Sequence, residues 1–139
     1  MESNLKKLFE DYAKAFDALD FKTQAGFFTD AFIMAGPKGA VSQSKQEFLT
    51  NAEQAVAYYE SVGMNSAKML SAREESISHD YSIVTVHWGV TFRKTGNLLV
   101  EFDVSYIVHS SLHDPKIILA ISHEDEQEAM KKLDVLKDN

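Results

Sequence analysis

The side chains best suited to acid–base chemistry are a histidine and an aspartate on two neighbouring predicted strands. Residues 82–92 and 98–109 each alternate between apolar and other side chains, which is typical of strands with one buried face. His87 and Asp103 both fall on odd-numbered positions, on the face away from the apolar side chains. An imidazole beside a carboxylate can act as a general acid–base couple. Their polar neighbours, which include Glu101, favour instead a face that meets solvent or a second subunit.

Other catalytic and cofactor-binding patterns are missing from the sequence. The 139 residues include no cysteine, which excludes a thiol nucleophile, a cysteine-based zinc site and a disulfide framework. The histidines lack the compact spacing of metal ligands, and no glycine-rich phosphate loop, dinucleotide fingerprint or nucleophile elbow is present. We therefore predict no metal and no cofactor.

Charge and hydropathy limit the kinds of partner. The chain has 21 acidic and 14 basic residues and a formal net charge of −7, which disfavours a broad nucleic-acid surface. No apolar run approaches the roughly 20 residues that a membrane helix needs, and the first residues lack a signal-peptide core. We expect one cytoplasmic domain over residues 1–139, without nucleic-acid or membrane partners.

Helices are predicted at both ends of the chain. Apolar residues recur at steps of three and four along residues 4–19, and Asp20 is a suitable N-cap for a short second helix over residues 21–27. Residues from Glu124 to Lys137 predict a C-terminal helix, with acidic residues first and lysines later as the helix dipole prefers.

A third helix has clear start and stop signals. Ser44 and Glu47 have the spacing of a capping box, in which each side chain bonds the backbone N–H of the other residue. Apolar residues follow at helical steps as far as Val62. Gly63 then fits the left-handed position just past the helix end.

The remaining segments predict an antiparallel sheet. Short or weak strands are expected at residues 32–35, 67–78 and 117–122, in addition to the two alternating segments. Both alternating strands carry their apolar side chains at even positions, and directly opposed residues share a face, so paired numbers must sum to an even number. A three-residue loop at 95–97 satisfies this rule. It places Trp88 opposite Val104 and His87 opposite Ser105.

These elements predict an α+β fold in which the helices cover the apolar, even-numbered face of one sheet. The sequence resembles the nuclear transport factor two-like superfamily, the cystatin-like α+β cone, which includes SnoaL-like cyclases and ketosteroid isomerases. The resemblance is carried by element order and by segments such as Phe27-Phe28-Thr29-Asp30-Ala31-Phe32, Val86-His87-Trp88-Gly89-Val90-Thr91-Phe92 and Asp103-Val104-Ser105-Tyr106. It implies a strongly bent antiparallel sheet wrapped around the N-terminal helices, a cone-shaped pocket, and a homodimer through the convex sheet face.

The resemblance places several aromatic side chains in that pocket. Trp88 and Tyr106 are the strongest candidates, because a buried indole N–H or phenol needs a polar partner and can offer one to a ligand. His123, at the end of the last strand, is a candidate for the pocket mouth. The full set of predicted ligand-binding residues is Tyr12, Phe16, Phe32, Tyr59, Trp88, Phe102, Tyr106 and His123.

The resemblance also indicates where catalytic acids would stand. Ketosteroid isomerases place a general-base aspartate near the end of the first short strand, where this sequence has Ala35. They also carry a pocket-facing aspartate on a later strand, but Asp103 falls on the odd face here. We therefore expect a protein that binds a small apolar molecule without catalysis. An isomerase, dehydratase or cyclase that transfers protons on a hydrophobic ketone or polyketide is the alternative, and a pure association module is a third.

Overall fold

The protein was analysed as a computed structural model that describes residues 3–125 and residue 128. Its elements in chain order are α1 (Ser3–Asp17), α2 (Phe21–Ala25), β1 (Phe28–Gly36), β2 (Gly39–Ser44), α3 (Lys45–Thr50), α4 (Ala52–Ser61), β3 (Met64–Ser76), β4 (Tyr81–Phe92), β5 (Val100–His109) and β6 (Lys116–Ser122). The predicted helix from Glu124 to Lys137 lies almost wholly outside the described residues. No helix among the described residues is long and apolar enough to cross a membrane.

The six strands form one curled, unclosed sheet, which confirms the predicted α+β class. The strand order is β2-β1-β6-β5-β4-β3, and every neighbouring pair is antiparallel except the parallel pair of β1 and β6. β6 therefore links the short N-terminal hairpin, which packs against α3, to the long strands, of which β3 packs against α1 and α4.

The core lies between α1 and the even face of the sheet. The apolar stripe of α1 is buried, while Lys7 and Asp11 on its outer side form an exposed ion pair at 2.9 Å. Asp17, at the end of α1, accepts a hydrogen bond at 2.8 Å from the backbone N–H of Ala67 in β3, which fixes that helix end against the sheet. The even positions of β4 are buried, as the alternation predicted: Ser82, Val84, Val86, Trp88, Val90 and Phe92.

The predicted caps are present. Asp20 accepts from the backbone N–H of Thr23 at 3.1 Å and begins α2. Ser44 and Glu47 form the expected capping box, with bonds of 3.0 and 3.1 Å. Gly63 has φ +73° and occupies the left-handed position that the sequence indicated.

Two local predictions were wrong. The third helix is interrupted at Asn51, so α3 and α4 are separate elements. Asn51 departs from the helical conformation, with φ −92° and ψ 0°, and its side chain makes no capping hydrogen bond to α4. The strand predicted over 32–35 is longer and forms a hairpin with β2, which the prediction missed because its small and polar residues, Gly39–Ser44, suit an exposed edge strand rather than a buried one.

The register between β4 and β5 differs from the prediction by two residues. Trp88 lies opposite Phe102 and His87 lies opposite Asp103, rather than opposite Val104 and Ser105. The connection spans residues 93–99 and begins with a short helical turn, Arg93–Thr95, so it is longer than the three residues expected. The expectation that paired residue numbers sum to an even number is confirmed, because a shift by two residues leaves every side chain on its face.

Candidate functional site

A half-open cavity of about 290 Å³ lies between the helices and the even face of the sheet. Helices α1, α2, α3 and α4 contribute one side, and strands β1, β4, β5 and β6 the other. Its lining consists of Tyr12, Phe16, Phe21, Gln24, Met34, Ala35, Phe48, Ala55, Tyr59, Trp88, Phe102, Val104, Tyr106, Ala120 and Ser122. None of these described lining residues carries a charged side chain.

Most of the predicted ligand-binding side chains meet in this lining. They are Tyr12, Phe16, Tyr59, Trp88, Phe102 and Tyr106. The helical stripe brings Tyr12 and Phe16 to the inner side of α1. Strand alternation brings Trp88, Phe102 and Tyr106 to the even face of the sheet. The ring of Phe16 packs edge-on against Trp88, with centroids 5.5 Å apart.

Phe32 and His123 lie elsewhere. Phe32 is buried between Phe28 and Phe48, with ring centroids 4.5 and 6.0 Å away, and fills the core beside the cavity. His123 follows Ser122, which points inward, so alternation directs the histidine to the opposite side of the sheet. There its Nε2 lies 2.6 Å from the Ser105 hydroxyl, and the expected place at the cavity mouth is not observed.

The centre of the cavity floor is a hydrogen-bonded aromatic pair. The indole Nε1–H of Trp88 donates to the hydroxyl of Tyr106 at 3.1 Å, and the two residues are 1% and 2% exposed. Trp88 and Tyr106 stand on neighbouring strands on the same face, and the indole reaches past Phe102, its register partner, toward Tyr106 four residues further along β5. The pair satisfies a buried donor that would otherwise be costly.

The end of β1 presents methionine to the cavity. Met34 pairs with Ala120, and both line the cavity. Ala35 reaches the cavity edge, but its register partner is Ile121, whose side chain is exposed on the other face. The position that the resemblance assigns to a general base is thus an alanine, and its inward-facing neighbour is also uncharged.

Gln24 is a cavity residue that the sequence analysis missed. It lies on α2 one helical turn after Phe21, so both residues share the inner side of that helix. It is 6% exposed and lines the cavity. A polar residue in a short helix is ordinarily assigned to the surface, and the three-residue spacing from Phe21 was the only available signal.

The odd face of the sheet, which carries the odd-numbered side chains of β4 and β5, holds the predicted histidine–aspartate pair. His87 Nδ1 lies 2.6 Å from Asp103 Oδ1, and its Nε2 lies 2.8 Å from Glu101 Oε1. The hydrogen bonds to Glu101 and Asp103 raise the pKa of His87 above its ordinary value, while desolvation acts in the opposite direction. The sheet separates this cluster from the cavity.

The odd face also carries a second polar cluster and an apolar row. Ser105 lies 3.0 Å from Thr85 and 2.6 Å from His123, hydroxyl to hydroxyl and hydroxyl to ring nitrogen. Beside this cluster, two residues further along β5, a row of aliphatic side chains crosses four strands. The row consists of the register partners Ile33, Leu119, Ile107 and Ile83. Among the described residues no cluster of histidines and carboxylates has the arrangement of a metal site.

Solved structures show the fold class to which this architecture belongs. The chain is similar to an NTF2-like protein of unknown function from Shewanella oneidensis, with a TM-score of 0.69, 13% identity, and coverage of 87% of this chain and 97% of that one. It is similar to Aln2 from a Streptomyces species, with a TM-score of 0.69, 10% identity, and coverage of 92% and 93%. It is also similar to the beta subunit of benzoate 1,2-dioxygenase from Burkholderia mallei, with a TM-score of 0.64, 11% identity, and coverage of 89% and 90%. At these identities the likeness shows the NTF2-like fold alone.

The family follows from the sequence. Residues 2–125 match the model of the family described as NTF2-like protein (DUF6841), and the chain belongs to that family. This confirms the resemblance inferred from element order. No functionally curated protein matches the chain.

Proposed function

We propose that the protein binds one small, uncharged, largely apolar molecule in the cavity between its helices and its sheet. The observation that carries the proposal is the composition of the wall, in which aromatic rings surround a few polar groups and the described lining residues are all uncharged. Small-molecule sites are typically concave and apolar with a few placed polar groups.

The volume of the cavity and its uncharged wall restrict the kinds of ligand that it can hold. A volume of about 290 Å³ is at the lower end of the range for ligand pockets, which suits one or two fused rings. The edges and faces of Phe16, Trp88 and Tyr12 offer favourable geometry to a planar ring. A charged ligand would lose its hydration without gaining an opposite charge from the described wall, which is unfavourable.

A binding role is better supported than proton-transfer catalysis. His87 and Asp103 form a hydrogen-bonded imidazole–carboxylate pair, but they lie on the odd face and cannot reach a molecule on the other side of the sheet. A proton-transfer enzyme would instead have to use the uncharged groups of the cavity. The rate of hydrogen–deuterium exchange of tetralone, an enolisable bicyclic ketone, distinguishes a binding protein from a proton-transfer enzyme. Acceleration of this exchange by the protein would support the enzyme.

The test of binding uses a pair of variants on one helix. Ala55 lines the cavity from α4, whereas Ala57 on the same helix is exposed. We expect quinoline to produce a saturable change in the fluorescence of Trp88, the single tryptophan, in the wild type and in Ala57→Phe. Ala55→Phe fills the cavity and should weaken binding at least tenfold. Equal affinities of the two variants would refute the proposal.

We also propose that two copies of the chain associate through the odd face. The support is the aliphatic row across β1, β6, β5 and β4, which begins with Ile33 at 42% exposure and would be covered by a partner. The polar clusters beside the row indicate a mixed, partly hydrated interface. The occupant we expect is a second copy, as the resemblance implies.

The oligomeric state tests this second proposal. Ile107→Lys places a charge in the middle of the row, at a half-buried position, and Ile77→Lys places the same charge at an exposed isoleucine between β3 and β4. Sedimentation should show a dimer for the wild type and Ile77→Lys and a monomer for Ile107→Lys. A wild-type monomer at micromolar concentration would refute it.

A further inference from the structure

One polar side chain in the cavity wall has no hydrogen-bond partner among the described residues. Gln24 is 6% exposed, and its backbone bonds are those of the short helix: its N–H donates to the Asp20 carbonyl, and its carbonyl accepts from Phe27. Its side-chain amide makes no hydrogen bond to any residue that the structure describes. Both amide atoms remain accessible to water from the half-open cavity. A ligand that fills the cavity removes this access, so it must itself bond the amide or leave it unsatisfied.

Other polar groups of the lining are already engaged. The Trp88 N–H donates to Tyr106, and the Ser122 hydroxyl donates to the carbonyl of Glu124 at 2.6 Å. Around them the wall is aromatic and aliphatic. The Gln24 amide therefore offers a donor and an acceptor, side by side, in the wall of a mostly apolar cavity.

We propose that Gln24 is the specificity-determining residue of the cavity and that it selects ligands with an adjacent N–H and C=O, as in an uncharged cyclic amide; this inference rests on the proposed function. A carboxamide presents N–H and C=O in one plane, so its complement carries C=O and N–H in the reverse order. A lactam satisfies both atoms. A carboxylate satisfies only the amide N–H and leaves the Gln24 oxygen facing a negative charge.

Three bicyclic probes of nearly equal size test the inference in the intact protein. Carbostyril, the lactam of quinoline, offers a donor and an acceptor, quinoline offers an acceptor only, and naphthalene offers neither. We expect the wild type to bind carbostyril at least tenfold more tightly than naphthalene, with quinoline between them. A site built around a polar group rejects a ligand that leaves this group unpaired.

Gln24→Leu removes the amide at similar volume, and Gln54→Leu makes the same change at an exposed position of α4. Gln24→Leu should bind the three probes with affinities within about threefold of one another, whereas Gln54→Leu should keep the wild-type order. The melting temperature of Gln24→Leu without ligand should stay close to that of the wild type, because the variant loses no side-chain hydrogen bond to the described residues.

The outcomes separate this inference from the proposed function. If the wild type binds all three probes equally and Gln24→Leu changes nothing, Gln24 is not the selecting residue, while the cavity remains a binding site. If no probe binds, or if Ala55→Phe leaves all affinities unchanged, the proposed function itself fails. Equal binding of the three probes by the wild type overturns the inference even if Gln24→Leu does not fold.

Discussion

Removal of one hydroxyl group from the cavity floor should destabilise the protein measurably. In Tyr106→Phe the indole N–H of Trp88 loses its acceptor at 3.1 Å, and at 1% exposure Trp88 cannot recover a bond from bulk water. Leaving a buried donor unsatisfied costs roughly 1–3 kcal/mol. We expect about 2 kcal/mol, because a water molecule inside the cavity can offset part of the loss.

The assay is urea unfolding followed by tryptophan fluorescence, which reports on Trp88 alone because the chain has one tryptophan. The free energy of unfolding should fall by about 2 kcal/mol, and the melting temperature by roughly 4–10 °C for a domain of this size. Tyr81→Phe is the matched control. Its ring stacks on His109 with centroids 4.7 Å apart, and its hydroxyl makes no hydrogen bond to the described residues.

The control should stay within about 0.5 kcal/mol of the wild type, as is usual for changes at partly exposed positions. If Tyr106→Phe lies within that margin too, the indole N–H is not a desolvated donor that depends on Tyr106. The description of the cavity floor would then be incorrect.

Two further predictions concern the helix cap and the odd face. Ser44→Ala removes half of the capping box with Glu47 and should lower the free energy of unfolding by about 1 kcal/mol, whereas Ser42→Ala on exposed β2 should not, in the same urea assay. The raised pKa of His87 stabilises the fold fully below its ordinary value of 6.5, and this contribution is lost as the pH rises through the raised value. The stability difference between the wild type and His87→Gln should therefore shrink as the pH rises above about 6.5. A difference that does not change with pH would contradict the ion-paired geometry.

Much of the fold could be predicted because its signals are local. The caps at Asp20 and Ser44 depend on side chains three residues apart, and the left-handed position of Gly63 depends on one residue. The buried face of the long strands follows from alternation, which does not depend on the neighbouring strand. These features depend only on residues that are close together in the chain, so they could be predicted from the sequence.

The register of β4 and β5 could not be fixed in this way. Parity distinguishes the buried from the exposed face, but any even shift satisfies it. The two-residue difference is set by the connection after Phe92 and by packing against the rest of the sheet. It has a direct chemical consequence, since it places His87 opposite Asp103.

The cavity was predicted in outline and missed in its polar detail. Aromatic positions on α1, β4 and β5 follow from periodicity, so Tyr12 and Trp88 were found. Gln24 was missed because its burial depends on how α2 packs against other elements, and composition favours a surface position for glutamine. Phe32 was misplaced because inward direction alone does not distinguish filled core from cavity wall.

The most direct test of the cavity as a binding site is to locate a bound molecule. Isotope-filtered nuclear Overhauser spectra of labelled protein with unlabelled carbostyril detect which side chains lie within about 5 Å of the ligand. We predict contacts to the indole of Trp88, to Phe102 and to the side-chain amide of Gln24. Contacts to odd-face side chains such as Ile107, or saturable binding without any contact to Trp88, would contradict a ligand site between the helices and the sheet.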